Sequence, residues 1–287
     1  MVPLEALVQQ LNAAHQTTFI TGERYTTGEQ GAYKLIDAEG RRYVLKWQPG
    51  TDHLERVLYA QTVTEQLRLR GYPAPAYVHI GAALGGTYSI QQALPGAPMQ
   101  RVSLQHLPRI LQLQALHAVQ APPGPRDWPR EVVQTVMQGD KGYCLHGSLQ
   151  QHSSETASML QALQGLVSAY QDRITETNEI VHFDFQAANF LTYQDTFSGV
   201  IDWEGVCAGD SAFDLATLLF YCYDDKAVRD LLWKYTLVRR SMQVLSVYLA
   251  HLILRQVDWS LRHHAASVSN HYIARGKALL AEIESRL

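Results

Sequence analysis

The sequence has few cysteines, no long apolar run and no excess of positive charge. Cys144, Cys207 and Cys222 form no CxxC pair and no zinc-type cluster with histidine, which argues against a disulfide scaffold and a thiolate zinc site. The most apolar run, 215–223, is far shorter than the ~18 residues of a membrane-spanning helix, and the N-terminal residues lack a signal-peptide pattern. The formal net charge of −3 provides no general attraction to nucleic acid or anionic membranes. We therefore expect a cytoplasmic globular protein whose partners are neither nucleic acids nor membranes.

The 287 residues divide into a strand-rich first part and a helical second part, with no internal repeat. Alternating patterns predict strands near 19–21, 32–37, 42–47, 77–80 and 87–91. Helical periodicity predicts helices at 5–15, 51–70, 104–119, 155–172, 228–257 and 271–286. The segment 94–98, which contains proline and glycine, marks the connection. We expect an α+β protein with a small N-lobe, residues 1–91, and a larger, mainly helical C-lobe, residues 92–287.

A short strand-rich island, residues 180–203, interrupts the helices and contains three side chains with oxygen donors. Asp184 and Asn189 bracket a loop between apolar strand residues, and Asp202 ends the return strand of the following hairpin. Hard oxygen ligands at neighbouring strand ends suit Mg²⁺, and a carboxylate beside them could orient an attacking hydroxyl. Taken singly, each residue is more simply explained as a turn, capping or surface residue. The conjunction is more specific, because Asn189 follows Asp184 by five residues and precedes Asp202 by thirteen.

This pattern, His182-x-Asp184-x4-Asn189 followed by Ile201-Asp202, resembles the catalytic and metal loops of the aminoglycoside phosphotransferase and choline kinase-like family. The resemblance extends over most of the chain and implies a bilobal protein-kinase-like fold with a small antiparallel sheet in the N-lobe. It also implies an ATP-dependent phosphotransferase that acts on an alcohol group and uses ATP, or GTP, with Mg²⁺. A role in antibiotic resistance is one biological context that the family suggests.

The resemblance assigns roles to residues of the C-lobe island. Asp184 would accept or orient the proton of the substrate hydroxyl, and Asn189 and Asp202 would hold Mg²⁺. His182 would pack and orient the loop, and Asp214 would be a buried residue that braces it. Positioning and charge neutralisation supply most of the catalysis in this chemistry, which explains why oxygen ligands and one base suffice.

The resemblance also assigns roles to residues of the N-lobe and the connection. Lys46, near the end of a strand, would contact the α- and β-phosphates, and the turn 25–31 would cover them. The backbone carbonyl of Gln92 and the backbone amide of Leu94 would meet the purine. A backbone carbonyl and a backbone amide can hydrogen-bond to either purine base, so the choice between ATP and GTP stays open at this point.

The sequence departs from the family pattern at two positions. In the usual register, the helix carboxylate that pairs with the nucleotide lysine would fall near residues 60–62, where Ala-Gln-Thr stands. Glu55 and Glu65 lie elsewhere on the same predicted helix, so the partner of Lys46 is left unassigned. Phe183 stands where the family most often has glycine.

Acidic residues crowd the region around the island. Residues 172–230 hold three basic and twelve acidic residues, and such a surplus in a cleft would attract a cationic substrate. The candidates for substrate contact are Glu204, Asp210, Tyr223, Asp224 and Asp225. The leading hypothesis is therefore Mg²⁺-dependent phosphorylation of a hydroxyl on a small cationic acceptor such as an aminoglycoside. Two alternatives stay open: a kinase of another small alcohol, amine, sugar or antibiotic, and a nucleotide-binding pseudokinase.

Overall fold

The computed structural model describes residues 4–25, 31–139, 144–175 and 177–287. These residues form two compact units: 1–99 with 189–206, and 100–188 with 207–287. The first unit thus extends past the predicted boundary at residue 91 and takes in a segment of the predicted C-lobe. Strand pairing explains the difference, because β6 (Ala97–Pro98) is hydrogen-bonded to β8 (Phe190–Tyr193), which pairs in turn with β9 (Thr196–Val200).

The first unit is built on an antiparallel five-stranded sheet in the order β1-β2-β3-β5-β4. Its strands are β1 (Ile20–Arg24), β2 (Ala32–Ile36), β3 (Arg42–Pro49), β4 (Tyr77–Ala83) and β5 (Gly86–Gln92). Helix α1 (Leu4–His15) covers a core that includes Leu35, Leu45 and Ile90. Helix α2 (Leu54–Arg68) follows β3. The predicted strands and both predicted helices of this part are confirmed.

The predicted β2–β3 hairpin is confirmed, and a single side chain explains its geometry. Asp37 Oδ1 accepts the backbone N–H groups of Glu39, at 3.1 Å, and Arg41, at 2.8 Å. This arrangement is an Asx-type turn, in which the side chain replaces a backbone acceptor. Gly40 supplies the positive φ, +77°, that closes the hairpin.

The second unit is mainly helical. Its helices are α3 (Leu107–Ala115), α4 (Trp128–Gln138), α5 (His146–His152), α6 (Ser154–Tyr170), α7 (Ala212–Tyr221), α8 (Lys226–Arg239), α9 (Met242–His263) and α10 (Ala266–Arg286). A two-stranded antiparallel sheet joins β7 (Glu179–Val181) to β10 (Cys207–Gly209). Helix α9 is buried along most of its length and packs against α4, α5, α6, α7 and α10. It is therefore the central helix of this unit.

The prediction of one continuous helix over 228–257 is wrong, because the chain forms α8 and α9 there. Arg240 is extended, and the Ser241 side chain accepts the backbone N–H of Val244, which caps the start of α9. The sequence prediction contains no helix at α4, α5 or α7. Asp127 caps α4 through the backbone N–H of Arg130, and Pro129 lies in its first turn, so a start signal for α4 is present in the sequence.

Within the described ranges, no helix is both long and apolar enough to cross a membrane.

Two glycines of the second unit make a matched test of its packing. A Cβ on Gly209, in β10, would lie 2.5 Å from Cδ2 of the fully buried Trp128, whereas a Cβ on Gly165, in α6, would meet nothing within 4 Å. We expect Gly209→Ala to lower the free energy of unfolding by ~1–3 kcal/mol through overpacking. Gly165→Ala should raise it by ~0.5–1 kcal/mol, because alanine favours the helix. Urea unfolding of both variants measures this, and equal effects would contradict the packing described.

Candidate active site

Lys46 lies on β3, and its ammonium group contacts two carboxylates of the same unit. Nζ donates to Oδ1 of Asp202 at 2.6 Å and to Oε2 of Glu204 at 2.7 Å. The two carboxylates belong to residues that are two positions apart in sequence. Asp202 has a φ of +69° and directly precedes the 3-10 turn Trp203–Gly205, which contains Glu204. The side chains of Lys46 and Glu204 are 18% and 15% exposed, and that of Asp202 is 48% exposed. The result is a largely buried cation held between two anions.

Glu204, and not a carboxylate of α2, is the second partner of Lys46. Gln91 on β5 holds it, since its Nε2 donates to Glu204 Oε1 at 2.9 Å. Helix α2 packs on the turn that contains Glu204, and its buried face presents Val57 and Ala60. The α2 carboxylates Glu55 and Glu65 are exposed, so the second carboxylate at Lys46 comes from the turn. Glu204, a substrate candidate from the sequence, is thus the partner of Lys46 that the sequence leaves unassigned.

The charges of this cluster shift one another's pKa. Burial alone would lower the pKa of Lys46, but the carboxylates of Asp202 and Glu204 outweigh it and raise that pKa above its ordinary value. Burial raises the pKa of Glu204, and the Lys46 charge opposes the rise. Burial also raises the pKa of Tyr77, whose hydroxyl is near the same carboxylates. Lys46 is therefore firmly cationic.

Asn189 is the second residue with a predicted role at the metal. It precedes β8 directly, and its backbone carbonyl accepts the N–H of Ile201 at 2.9 Å, so residues 189 and 201 are neighbours across the strand pair. Asp202 follows Ile201. An amide and a carboxylate are a donor set that suits Mg²⁺, which takes few protein ligands and completes its shell with water and phosphate oxygens. Among the described residues, no group of three or more His, Cys, Asp or Glu side chains could hold a metal ion by itself.

The residues predicted to meet the purine lie where β5 ends. The backbone N–H of Gln92 donates to the Ala76 carbonyl at 2.8 Å, and Gln92 is exposed. Leu94 packs over Gly199 of β9, where a Cβ would lie 2.5 Å from its Cδ1. Of the predicted phosphate turn 25–31, residues 26–30 lie outside the described residues.

Asp184 belongs to the second unit, and its side chain is 33% exposed. Gln186 Nε2 lies 3.0 Å from both carboxylate oxygens, and Arg255 Nη2 donates to Oδ1 at 2.8 Å. The backbone N–H of Asp184 donates to Nδ1 of the buried His182 at 3.3 Å. The Asp184 carboxylate is therefore oriented by side chains from its own loop and from α9.

The predicted bracing role of Asp214 is confirmed. It is fully buried on α7 and accepts two successive backbone N–H groups, from His182 at 2.9 Å and from Phe183 at 3.0 Å. His117 Nδ1 lies 2.8 Å from the same carboxylate. Asp214 therefore fixes the backbone just before Asp184.

Asp210 is enclosed in the second unit, and this corrects its assignment to the substrate. It is 0% exposed, and Arg240 Nε and the Tyr248 hydroxyl each donate to Oδ2 at 2.6 Å. The backbone N–H of Ala212 donates to Oδ1 at 3.0 Å. A buried carboxylate with these partners stabilises the start of α7 and presents no surface to a substrate.

The remaining substrate candidates are tied to other helices. The Tyr223 hydroxyl donates to Glu282 of α10 at 2.9 Å, and burial together with this carboxylate raises the pKa of Tyr223 to about 12. Asp224 pairs with Arg275 of α10, although its side chain stays 55% exposed. Asp225 caps α8 by accepting the backbone N–H groups of Ala227 and Val228. Asp224 and Asp225 are exposed, whereas Tyr223 is buried.

The acidic surplus of residues 172–230 is partly compensated by five cations from outside that window. The pairs are Asp184–Arg255, Asp202–Lys46, Glu204–Lys46, Asp210–Arg240, Asp224–Arg275 and Glu179–Arg239. A count over a sequence window misses these partners, because they come from β3, α8, α9, α10 and the α8–α9 connection. The charge count of the sequence window therefore overstates the support for a cationic acceptor.

Comparisons with known proteins identify the fold and the family. The chain resembles the solved structure of aminoglycoside phosphotransferase APH(4)-Ia, with a TM-score of 0.71, 20% identity, and 97% of this chain and 99% of that chain covered. Choline kinase LicA from Streptococcus pneumoniae is similar over 97% and 99% of the two chains, with a TM-score of 0.65 and 14% identity. The fold is thus the α+β protein-kinase-like fold, as predicted. A model of the phosphotransferase enzyme family matches residues 23–245, and the chain belongs to that family.

One curated relative is also similar in sequence. Hygromycin-B 4-O-kinase from Escherichia coli is 27% identical over 215 residues, which are 68% of this chain. The match spans 60% of the length of that kinase. APH(4)-Ia has also been solved in a ternary complex with ADP and hygromycin B.

Removing the charge of Asp210 tests its structural role. Asp210→Asn leaves Arg240 beside a neutral group in a buried site, and we expect the free energy of unfolding to fall by ~3–5 kcal/mol. Urea unfolding measures the loss, and Asp172→Asn, at an exposed position, is the control. Unchanged stability in Asp210→Asn would show that the carboxylate is not the buried support described.

Proposed function

We propose that this protein transfers the γ-phosphoryl group of ATP, with Mg²⁺, to a hydroxyl group of a small molecule. The observation that supports this best is the Lys46 ammonium held between Asp202 and Glu204 in a member of the phosphotransferase family. A buried cation in a fixed position is suited to bind phosphate oxygens. The retained Asp184, Asn189 and Asp202 argue against a pseudokinase.

In this proposal, the first unit binds the nucleotide. Lys46 contacts the α- and β-phosphates, and the backbone groups of Gln92 and Leu94 meet the purine edge. Asn189 and Asp202 hold Mg²⁺, which when bound neutralises the charge that develops on the phosphates. ATP is the nucleotide we favour, because the related APH(4)-Ia has been solved with ADP and with AMP-PNP.

Asp184 acts on the acceptor. Its carboxylate accepts a hydrogen bond from the acceptor hydroxyl and aligns the oxygen with the γ-phosphorus. The bond between the acceptor oxygen and the γ-phosphorus forms, and the bond from that phosphorus to the oxygen bridging it to the β-phosphate breaks. ADP leaves, and the hydroxyl proton passes to Asp184 and then to solvent.

The acceptor we propose first is an aminoglycoside of the hygromycin B type. Its support is the sequence similarity to hygromycin-B 4-O-kinase. The exposed carboxylate of Asp224 is the residue we retain for contact with an amine or hydroxyl of such a compound. A second candidate is a smaller amino alcohol, since the fold is shared with choline kinase LicA. A cytoplasmic location and a role in resistance stay predictions.

An acceptor screen tests the proposal. Wild-type protein with ATP and Mg²⁺ is offered hygromycin B, other aminoglycosides, choline and simple sugars, and ADP release is followed in each case. We expect release above the rate without acceptor for at least one compound with a free hydroxyl. Binding of ATP without acceptor-dependent ADP release across the panel would favour a nucleotide-binding module instead.

Asp184→Asn separates chemistry from nucleotide binding. We expect transfer to fall by about 100-fold or more, the usual contribution of a positioned general base. Thermal stabilisation by ATP and Mg²⁺ should stay close to that of the wild type, because ligand binding raises stability by mass action whether or not transfer follows. Asp172→Asn, an exposed substitution in the same unit, is the control. Full transfer activity in Asp184→Asn would remove Asp184 from the mechanism.

Glu204→Gln tests the partner of Lys46. The variant keeps the shape of the side chain but removes one of the two negative charges that hold the Lys46 ammonium in place. We expect the affinity for ATP to fall by about 10-fold, because Asp202 is then the one carboxylate left of this pair. Glu65→Gln on α2 is the matched control, because Glu65 is an exposed carboxylate of the helix that usually supplies the partner. Calorimetric titration with ATP and Mg²⁺ measures both. A loss in Glu65→Gln with none in Glu204→Gln would contradict the assignment.

A further inference from the structure

Phe183, directly before Asp184, has a backbone conformation that is unusual for its residue type. Its φ is +74°, in the left-handed region where residues with a Cβ are disfavoured and glycine is preferred. The side chain is nevertheless large and 6% exposed. Such a conformation persists only where the surrounding structure holds it.

Four groups of the second unit hold Phe183 in place. Its backbone N–H donates to Asp214 Oδ1, and its ring stacks on Phe213 with centroids 5.2 Å apart and planes at 10°. The guanidinium of Arg126 lies 4.2 Å from the ring centroid, and that of Arg255 lies 5.4 Å from it. Aromatic stacking and cation–π contacts of this kind each contribute about 0.5–2 kcal/mol. Together they offset the cost of the positive φ.

Arg255 links this ring to Asp184. Its Nη1 donates to the Phe183 carbonyl at 2.9 Å, and its Nη2 donates to Asp184 Oδ1 at 2.8 Å. One planar guanidinium thus binds the backbone of one residue and the carboxylate of the next. Arg255 projects from α9, the buried central helix of the unit, and its side chain is only 9% exposed. The rigid fork of arginine fixes both direction and distance, which lysine cannot reproduce.

Arg255 is the cation of α9 that contacts Asp184, and the other groups around the Phe183 ring are neutral or paired elsewhere. His251, one turn earlier on α9, packs edge-on against Phe183 with centroids 5.7 Å apart. Burial and the neighbouring Arg255 lower its pKa to about 3, so it is neutral. Arg126 pairs with Glu131 of α4. On the loop itself, Gln186 contributes a neutral amide to the carboxylate.

We propose that Arg255 is a positioning residue for Asp184 and that the Phe183 ring is the surface on which its guanidinium rests. The proposal rests on the proposed function, in which Asp184 aligns the acceptor hydroxyl. Arg255 fixes the Asp184 carboxylate in one orientation before the acceptor binds. Fixing a reacting group in advance accelerates the chemical step without changing nucleotide affinity.

Truncation of Arg255 tests the proposal by its effect on kcat and KM. We expect Arg255→Met to lower kcat by about 30-fold or more, with the KM for ATP unchanged within about twofold. Arg255→Lys should recover only part of the loss, because it keeps the charge and loses the fork. Arg262→Met is the matched control, since Arg262 also projects from α9 and pairs with Asp258. Wild-type kcat in a folded Arg255→Met would overturn the proposal, and if Arg255→Met does not fold, wild-type kcat in Arg255→Lys would do so.

A structural measurement tests the same proposal without an acceptor. Crystal structures of the wild type and Arg255→Lys should show one ordered conformation of the Asp184 side chain in the wild type and more than one in the variant. An Asp184 carboxylate that is equally ordered in both would overturn the positioning role. Because this readout needs no phosphoryl transfer, its failure is distinguishable from failure of the proposed function.

Discussion

The contact on which the first unit depends is that of the Lys46 ammonium with Asp202 and Glu204. A largely buried lysine is costly unless it is paired, and removal of one partner of such a group typically costs ~3–5 kcal/mol. This contact joins β3 to the turn that follows β9, across 156 and 158 residues of sequence. Together with the pairing of β6 and β8, it ties residues 189–206 to the N-terminal sheet, and it places a fixed positive charge beside Asp202, a predicted metal ligand.

Charged side chains in the second unit are also paired with partners distant in sequence, but the groups are different. Asp210, Asp214 and Asp184 are acidic side chains of one short stretch, and each is matched by partners from a distant part of the chain. Asp210 and Asp214 are fully buried and support the backbone, whereas Asp184 stays partly exposed. Burial thus separates the structural carboxylates Asp210 and Asp214 from Asp184, for which we propose a role in catalysis.

The sequence predicted the elements whose signals are local. The β2–β3 hairpin follows from Asp37 and Gly40, and the family resemblance carried by His182, Asp184, Asn189 and Asp202 implies a phosphotransferase. What could not be predicted depends on partners distant in sequence. Glu204 counts as a substrate candidate because it lies in an acidic stretch, and its contact with Lys46, 158 residues earlier, has no local signal.

The other errors have the same origin. The sequence makes Asp210 a candidate for substrate contact because its partners, Arg240 and Tyr248, lie 30 and 38 residues further along the chain. Residues 97–98, beyond the predicted lobe boundary at residue 91, pair with β8, whose strand is about 95 residues further along the chain. The break between α8 and α9, by contrast, has a local signal in the Ser241 cap, which the apolar periodicity on either side outweighed.

The most direct test of the account follows the phosphorus atom itself. Protein, Mg²⁺ and ATP labelled at the γ-position are incubated with hygromycin B and with each other acceptor of the screen, and the products are separated. We expect the label to appear in an acceptor in amounts equal to the ADP formed, and Asp184→Asn to slow its appearance by about 100-fold or more. Label that is found only in ATP or in inorganic phosphate, with every acceptor, would contradict it.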